Sequence, residues 1–126
     1  MTAEAGLVHV VDDEEEVCRS TAALLRTAGI ECRTWPSGDS FLDGADLGGD
    51  GCVILDLRMR GKDGFEVQQE LTTLRSPLKV ILVTGHADAV LARKAIAAGA
   101  IDFIAKPYEH DVLLVKVEEA LAITRT

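Results

Sequence analysis

Aromatic side chains are scarce. One Trp, one Tyr and three Phe among 126 residues offer too few ring faces for a platform on which bases stack. Basic charge is also short: 13 Lys and Arg stand against 21 Asp and Glu, a net charge of −8. That is the wrong sign for a surface that follows a phosphate backbone, so the chain itself is expected not to touch nucleic acid. The three cysteines, Cys18, Cys32 and Cys52, are far apart and form no C-x-x-C pair. They build no disulfide framework and suit free thiols in a reducing compartment. No apolar run approaches the ~18 residues of a membrane span. The opening MTAEAG lacks both the basic and the apolar stretch of a secretory signal. A cytoplasmic setting without membrane contact is expected.

What is present is the material of one ordinary domain, residues 1–126. Apolar residues make up 48%, normal for a globular chain. A chain of this size buries roughly two thirds of the surface it exposes when unfolded, so it needs no metal or disulfide to fold. Leu7–Val11, Cys52–Leu55 and Val80–Val83 are continuous apolar runs rich in β-branched residues, the pattern of strands covered on both faces. Ile30–Trp35 and Ala100–Ile104 are weaker strand candidates. Between them lie helical patterns: Glu14–Ala28 closed by Gly29, a short Ser37–Leu42, a third marked by Phe65, Leu71 and Leu74, then Ala87–Ala98 and Glu109–Ala122. Strand and helix alternate five times, which predicts an α/β fold with a parallel sheet covered on both sides. The acidic stretch Asp43–Gly51 lacks the alternate spacing of a calcium loop and reads as a solvated turn.

In open α/β sheets, ligands bind beyond the carboxyl ends of the strands. Here those ends carry Asp12-Asp13, Asp56, Thr84-Gly85 and Lys106-Pro107, while the second strand ends in Trp35-Pro36. Singly, each residue has an ordinary role: a helix cap for Asp12 or Asp13, a loop cap for Asp56, a carbonyl partner for Thr84, a surface lysine for Lys106. Jointly they place three carboxylates, a hydroxyl and an ammonium on one edge. Three adjacent carboxylates repel unless something positive lies among them. A hard divalent cation such as Mg²⁺ meets that need through oxygen ligands, and an Asp carboxylate can accept a phosphoryl group as a nucleophile.

These residues resemble a known family. VVDDEEEV (Val10–Val17), VILDLRMRGKDG (Val53–Gly64), VILVTGHAD (Val80–Asp88) and AGAIDFIAKPYE (Ala98–Glu109) are similar, in order and spacing, to the response-regulator receiver domains of bacterial two-component signalling. The LRM and TGHAD segments look most like the nitrogen-fixation-regulator (FixJ-like) branch. The resemblance implies a flavodoxin-like (βα)5 fold with strand order 2-1-3-4-5 and a phosphoacceptor switch rather than an enzyme. It implies Asp56 as phosphoacceptor, and Mg²⁺ on Asp13 and Asp56 with Asp12 nearby and the Arg58 carbonyl as a further ligand. Lys106 would pair with the phosphoryl group, its bond to Pro107 being cis. Thr84 and Phe103 would form the switch pair. The implied partners are a sensor histidine kinase, a second copy through helix four, strand five and helix five, and a DNA-binding output domain. A stand-alone receiver, acting by protein contact or as a phosphorelay intermediate, is the alternative.

A haloacid-dehalogenase-type phosphatase is the reading from another class. It is disfavoured because Arg58 occupies the place of that class's general acid, two residues after the nucleophile, and the acidic pair comes first in the chain. The receiver resemblance breaks at one place: Arg60 stands where the family usually has Pro. Arg60 and Lys62 either are tolerated surface cations or tune kinase docking and phosphoryl lifetime. His86 is placed near the site, and His9 in mid-strand reads as structural. In helix four, Arg93 and Lys94 suit ion pairs to Asp102 of a second copy; otherwise its small residues serve packing alone.

Overall fold

A computed structural model of the chain describes residues 6–85 and 89–125. Strand and helix alternate as β1 (Val8–Val11), α1 (Glu15–Thr27), β2 (Cys32–Trp35), α2 (Gly38–Gly44), β3 (Cys52–Asp56), α3 (Gly64–Thr73), β4 (Lys79–Gly85), α4 (Ala89–Ala97), β5 (Asp102–Lys106) and α5 (His110–Arg125). The strands form one sheet in the order β2-β1-β3-β4-β5, every pairing parallel. This is the expected topology. It reverses direction beside β1, the place where doubly wound sheets open a crevice.

The two faces of the sheet follow from the two-residue period of its strands. Val8, Val10, Cys52, Ile54, Ile81, Val83 and Ile104 pack with Cys18 and Leu25 of α1 and Leu113, Val117 and Leu121 of α5. Val11, Val53, Leu55, Val80 and Leu82 pack on the other side with Phe41 of α2 and Val67 and Leu71 of α3. Every residue of β1 and β3 is buried, which is why those two runs were continuous in the sequence. Being central and covered twice, they hold their ends in fixed relation, and those ends carry the acids.

Local signals set where the helices begin. The Asp63 side chain accepts the Glu66 N–H and the Glu66 carboxylate accepts the Asp63 N–H, both at 2.9 Å, a capping box that starts α3. Ser37 and Ser40 make the same reciprocal arrangement for α2. Gly64 opens α3 flush against β3: a Cβ there would lie 2.5 Å from the Asp56 carbonyl oxygen and 2.8 Å from Leu57 Cα. Only a glycine allows the helix to start so close to the strand. By contrast α1 has Glu14 at its N-cap with no side-chain cap, and the Glu14 N–H itself donates to Asp12.

Several boundaries differ from the sequence expectation, β2 starting at Cys32 rather than Ile30 and α5 running to Arg125. The fifth strand starts at Asp102 rather than Ala100, since Ala100 is a buried residue of the turn leading into it. The fourth extends to Gly85, because its last residues stay paired to Ala105 and Lys106 of β5. Cys18, Cys32 and Cys52 are free thiols, and no helix among the described residues is long and apolar enough to cross a membrane.

Candidate functional site

β1 delivers Asp12 and Asp13, β3 delivers Asp56, and β5 delivers Lys106, all at the carboxyl edge of the sheet. Oxygens of the three carboxylates lie within 4.8 Å of one another. Lys106 Nζ stands 3.8 Å from Asp12 Oδ2 and 3.7 Å from Asp56 Oδ2, so the ammonium touches two acids loosely and is committed to neither. The Lys106–Pro107 peptide is cis, as the resemblance implied.

Main-chain donors hold the acids in place. Asp12 Oδ1 accepts the Glu14 N–H at 2.9 Å, Asp56 Oδ1 accepts the Arg58 N–H at 3.3 Å, and Asp13 Oδ2 accepts the Arg60 N–H at 2.9 Å. Asp56 therefore does cap the loop that follows it, and serving as a cap does not remove it from the cluster. Its remaining oxygen faces Lys106.

Burial dominates the electrostatics. Asp12 and Asp56 are 4% and 7% exposed. Desolvation, followed by the neighbouring Asp12 charge, lifts the Asp56 carboxyl to about 6, against an opposing pull from Lys106. Asp12 is raised too, again chiefly by burial, with its hydrogen bond from Glu14 and the Lys106 charge opposing. The single ammonium falls short of balancing two buried carboxylates and a third beside them. An all-oxygen donor set with excess negative charge, at this spacing, is the chemistry a hard divalent cation fits.

Thr84 is buried at the end of β4, where its hydroxyl donates to the Gly85 carbonyl at 2.9 Å. Phe103 of β5 pairs with Leu82 and is half-buried against the face that carries Leu55, Leu82 and Ile96. Since Thr84 lies two residues after Leu82 on β4, it shares that face. Thr84 and Phe103 are thus diagonal neighbours across adjacent strands.

Other singled-out residues fall elsewhere. His9 is buried among Trp35 and Phe41, accepting the Trp35 Nε1–H at its Nδ1 at 3.1 Å, a structural histidine as expected. Lys62 is drawn to Glu70 at 2.6 Å and Asp39 at 3.5 Å. Asp102 pairs with Lys116 of α5 of its own chain at 2.6 Å, while Arg93 and Lys94 are exposed. The anticipated pairs from those two residues to Asp102 of a second copy thus meet a carboxylate already occupied within the chain. His86 lies outside the described residues.

The sequence reading did not foresee the hydrogen bond from Arg60 to Asp13 or the close approach at Gly64. The first had a signal, since a residue other than Pro at position 60 has an N–H to donate. The second had one in Asp63-Gly64-Phe65-Glu66, a capping-box spacing with glycine inside it.

Comparison with known proteins agrees with this geometry. Residues 8–118 match the family described as response regulator receiver domain. The chain is similar to the response regulator protein TodT of Pseudomonas putida, 34% identical over 98% of this chain and 54% of TodT. It is also similar to the transcriptional regulatory protein FixJ of Rhizobium meliloti, 39% identical over 90% of this chain and 55% of FixJ. Among solved structures, FixJ-N superposes with a TM-score of 0.86 at 38% identity, covering 92% of this chain and 93% of that one. The chain spans about half the length of the curated relatives it matches.

Proposed function

From the premise that this chain belongs to the response regulator receiver domain family, whose members are signalling switches, we propose that it accepts a phosphoryl group on Asp56 from a phosphohistidine of a partner kinase. The observation that carries the reading is the trio Asp12, Asp13 and Asp56 within 4.8 Å, with Lys106 Nζ under 4 Å from two of them. Asp12 and Asp56 each have one oxygen held by a main-chain N–H and the other facing the ammonium, and Asp56, at the end of β3, is the one that the family resemblance assigns as acceptor.

In the transfer, the P–N bond of the donor breaks as a bond forms between phosphorus and an Asp56 carboxylate oxygen. The imidazole nitrogen keeps the electron pair and is protonated from solvent. Such a reaction needs positioning and charge neutralisation more than covalent help. A Mg²⁺ ion held by Asp13 and Asp56, with Asp12 close by and the Arg58 carbonyl as a further oxygen, would supply neutralising charge at the phosphoryl oxygens. Lys106 supplies a second positive charge from β5. Asp56 attacks as the carboxylate, the form that burial and the Asp12 charge disfavour and that a cation among the acids would restore.

Phosphorylation then adds negative charge beside Thr84. A hydroxyl turned from the Gly85 carbonyl toward a phosphoryl oxygen would vacate space that Phe103, its diagonal neighbour, can enter. This couples the acceptor to β5 and the surface around it. FixJ is named as a transcriptional regulatory protein, and control of a DNA-binding output domain is the role proposed for this receiver. The acidic chain leaves DNA contact to that output domain.

The test is incubation with Mg²⁺ and acetyl phosphate, followed by intact mass. The wild type gains one phosphoryl group, Asp56→Asn gains none, and EDTA prevents the gain. A wild type that stays unmodified across donor concentrations, or an Asp56→Asn variant that is labelled equally, overturns the assignment.

A further inference from the structure

Arg60 and Lys62 stand two residues apart in the loop between β3 and α3, yet the structure puts them to different uses. Lys62 turns toward Glu70 and Asp39 and takes no part in the acidic trio. Arg60 approaches Asp13 twice. Its main-chain N–H donates to Asp13 Oδ2 at 2.9 Å, and its Nε lies 3.4 Å from the same oxygen. The link spans 47 positions of sequence and joins the loop after β1 to the loop after β3. A proline could make neither contact, having no N–H and no charge.

The two contacts act in opposite directions on a cation. The N–H is a neutral dipole that orients the Asp13 carboxylate, whose side chain is 18% exposed. Fixing a ligand's orientation favours metal binding, because less freedom is lost when the ion arrives. The guanidinium carries the same sign as the ion. With a side chain 90% exposed, it is free to swing away, but while it stays it partly satisfies the charge that draws the ion in.

We propose that Arg60 is a positioning residue that sets how tightly the acidic trio holds a divalent cation, its amide aligning Asp13 and its guanidinium competing for the same carboxylate. The inference rests on the reading of Asp12, Asp13 and Asp56 as a cation site. In this receiver the position after Met59 then acts as a built-in counterweight, and Mg²⁺ affinity depends on ionic strength through a residue that does not itself hold the ion.

Calorimetric titration of the full chain with Mg²⁺, without any phosphodonor, tests it. An exposed ion pair of this kind is a small effect, so Arg60→Ala should bind Mg²⁺ about two- to fivefold more tightly than wild type at low ionic strength. The gap should close by about 0.5 M salt, because exposed charges are screened there. Arg60→Glu should tighten binding further, and Arg60→Lys should stay near wild type. Arg60→Pro, which loses the amide as well, should bind more weakly than Arg60→Ala. Equal affinities of wild type and Arg60→Ala at low salt overturn the competition, and equal affinities of Arg60→Pro and Arg60→Ala overturn the alignment. Asp13→Asn separates the two levels. Binding that Asp13→Asn abolishes and Arg60→Ala leaves unchanged overturns this inference alone. No Mg²⁺ binding by wild type overturns the site itself and this inference with it.

Discussion

Two clusters of buried titratable side chains lie on this sheet, and they are built on opposite terms. Around His9, each partner answers the next: the Trp35 Nε1–H meets the His9 Nδ1 lone pair, and the Phe41 ring packs edge-on against both rings at 5.3 and 6.1 Å. Burial, with the Arg33 charge adding to it and Asp46 opposing, pushes His9 below its ordinary value and keeps it neutral. Around Asp56, burial acts on like charges with one ammonium shared loosely between two of them. The first cluster is complete within the chain. The second is stable only at a cost that Lys106 and the main-chain donors offset in part, and a buried charge left incompletely balanced is what a functional site tends to carry.

The contrast can be broken from either side. The largest effect belongs to the completed cluster. Phe41 is fully buried, and Phe41→Ala should cost about 3–5 kcal/mol in urea unfolding while the surviving folded protein still accepts a phosphoryl group. Next comes Asp56→Asn in metal-free buffer, which should stabilise the fold at pH 7.5 by about 1–3 kcal/mol. The sign follows from the raised carboxyl. Its penalty is fully present above about 6 and is relieved as pH falls toward the unfolded value near 3.8, so the advantage of Asn should vanish by about pH 4. An advantage that persists undiminished at pH 4 would separate it from the charge.

A smaller effect, about 1–2 kcal/mol, is expected for Trp35→Phe, which keeps the ring packing and leaves His9 Nδ1 without its donor. The finest distinction is in pH dependence, measured by urea unfolding in the Asp56→Asn background. Since His9 is held below its usual 6.5, the stability it contributes is full above that value and is lost as pH falls through the lowered one. The acid side should therefore weaken the His9 region over the same range in which it relieves Asp56. Replacing His9 by Gln should flatten the slope; an unchanged slope would show that His9 does not titrate with folding.

The sequence made some of this plain and concealed the rest for physical reasons. The runs through Val10, Ile54 and Ile81 announced central strands because both faces are covered, and the acids at their ends could be read from topology alone. The run Ala100–Ile104 starts two residues ahead of β5, whose half-exposed Asp102, Phe103 and Lys106 break the apolar pattern of an inner strand. The pairing of Asp102 with Lys116 joins residues fourteen apart through a strand-to-helix turn that no periodicity encodes. Arg60 was visible as a departure from the family's proline, but its partner Asp13 lies on another loop. Only the folded chain brings the two together.

Thr84 carries a consequence for the strength of the proposed switch. Its hydroxyl already has a good partner in the Gly85 carbonyl at 2.9 Å, so recruitment by a phosphoryl oxygen exchanges one bond for another and does not create one. The difference between a charge-assisted and a neutral hydrogen bond is about 1–1.5 kcal/mol. Moving an equilibrium from one part in a hundred to ninety-nine takes about 5.5 kcal/mol. A threonine that starts satisfied can thus tilt the two populations by about tenfold, well short of that full swing. A full swing of this receiver would have to draw its remaining drive from elsewhere on the same edge, where Lys106 is shared between Asp12 and Asp56.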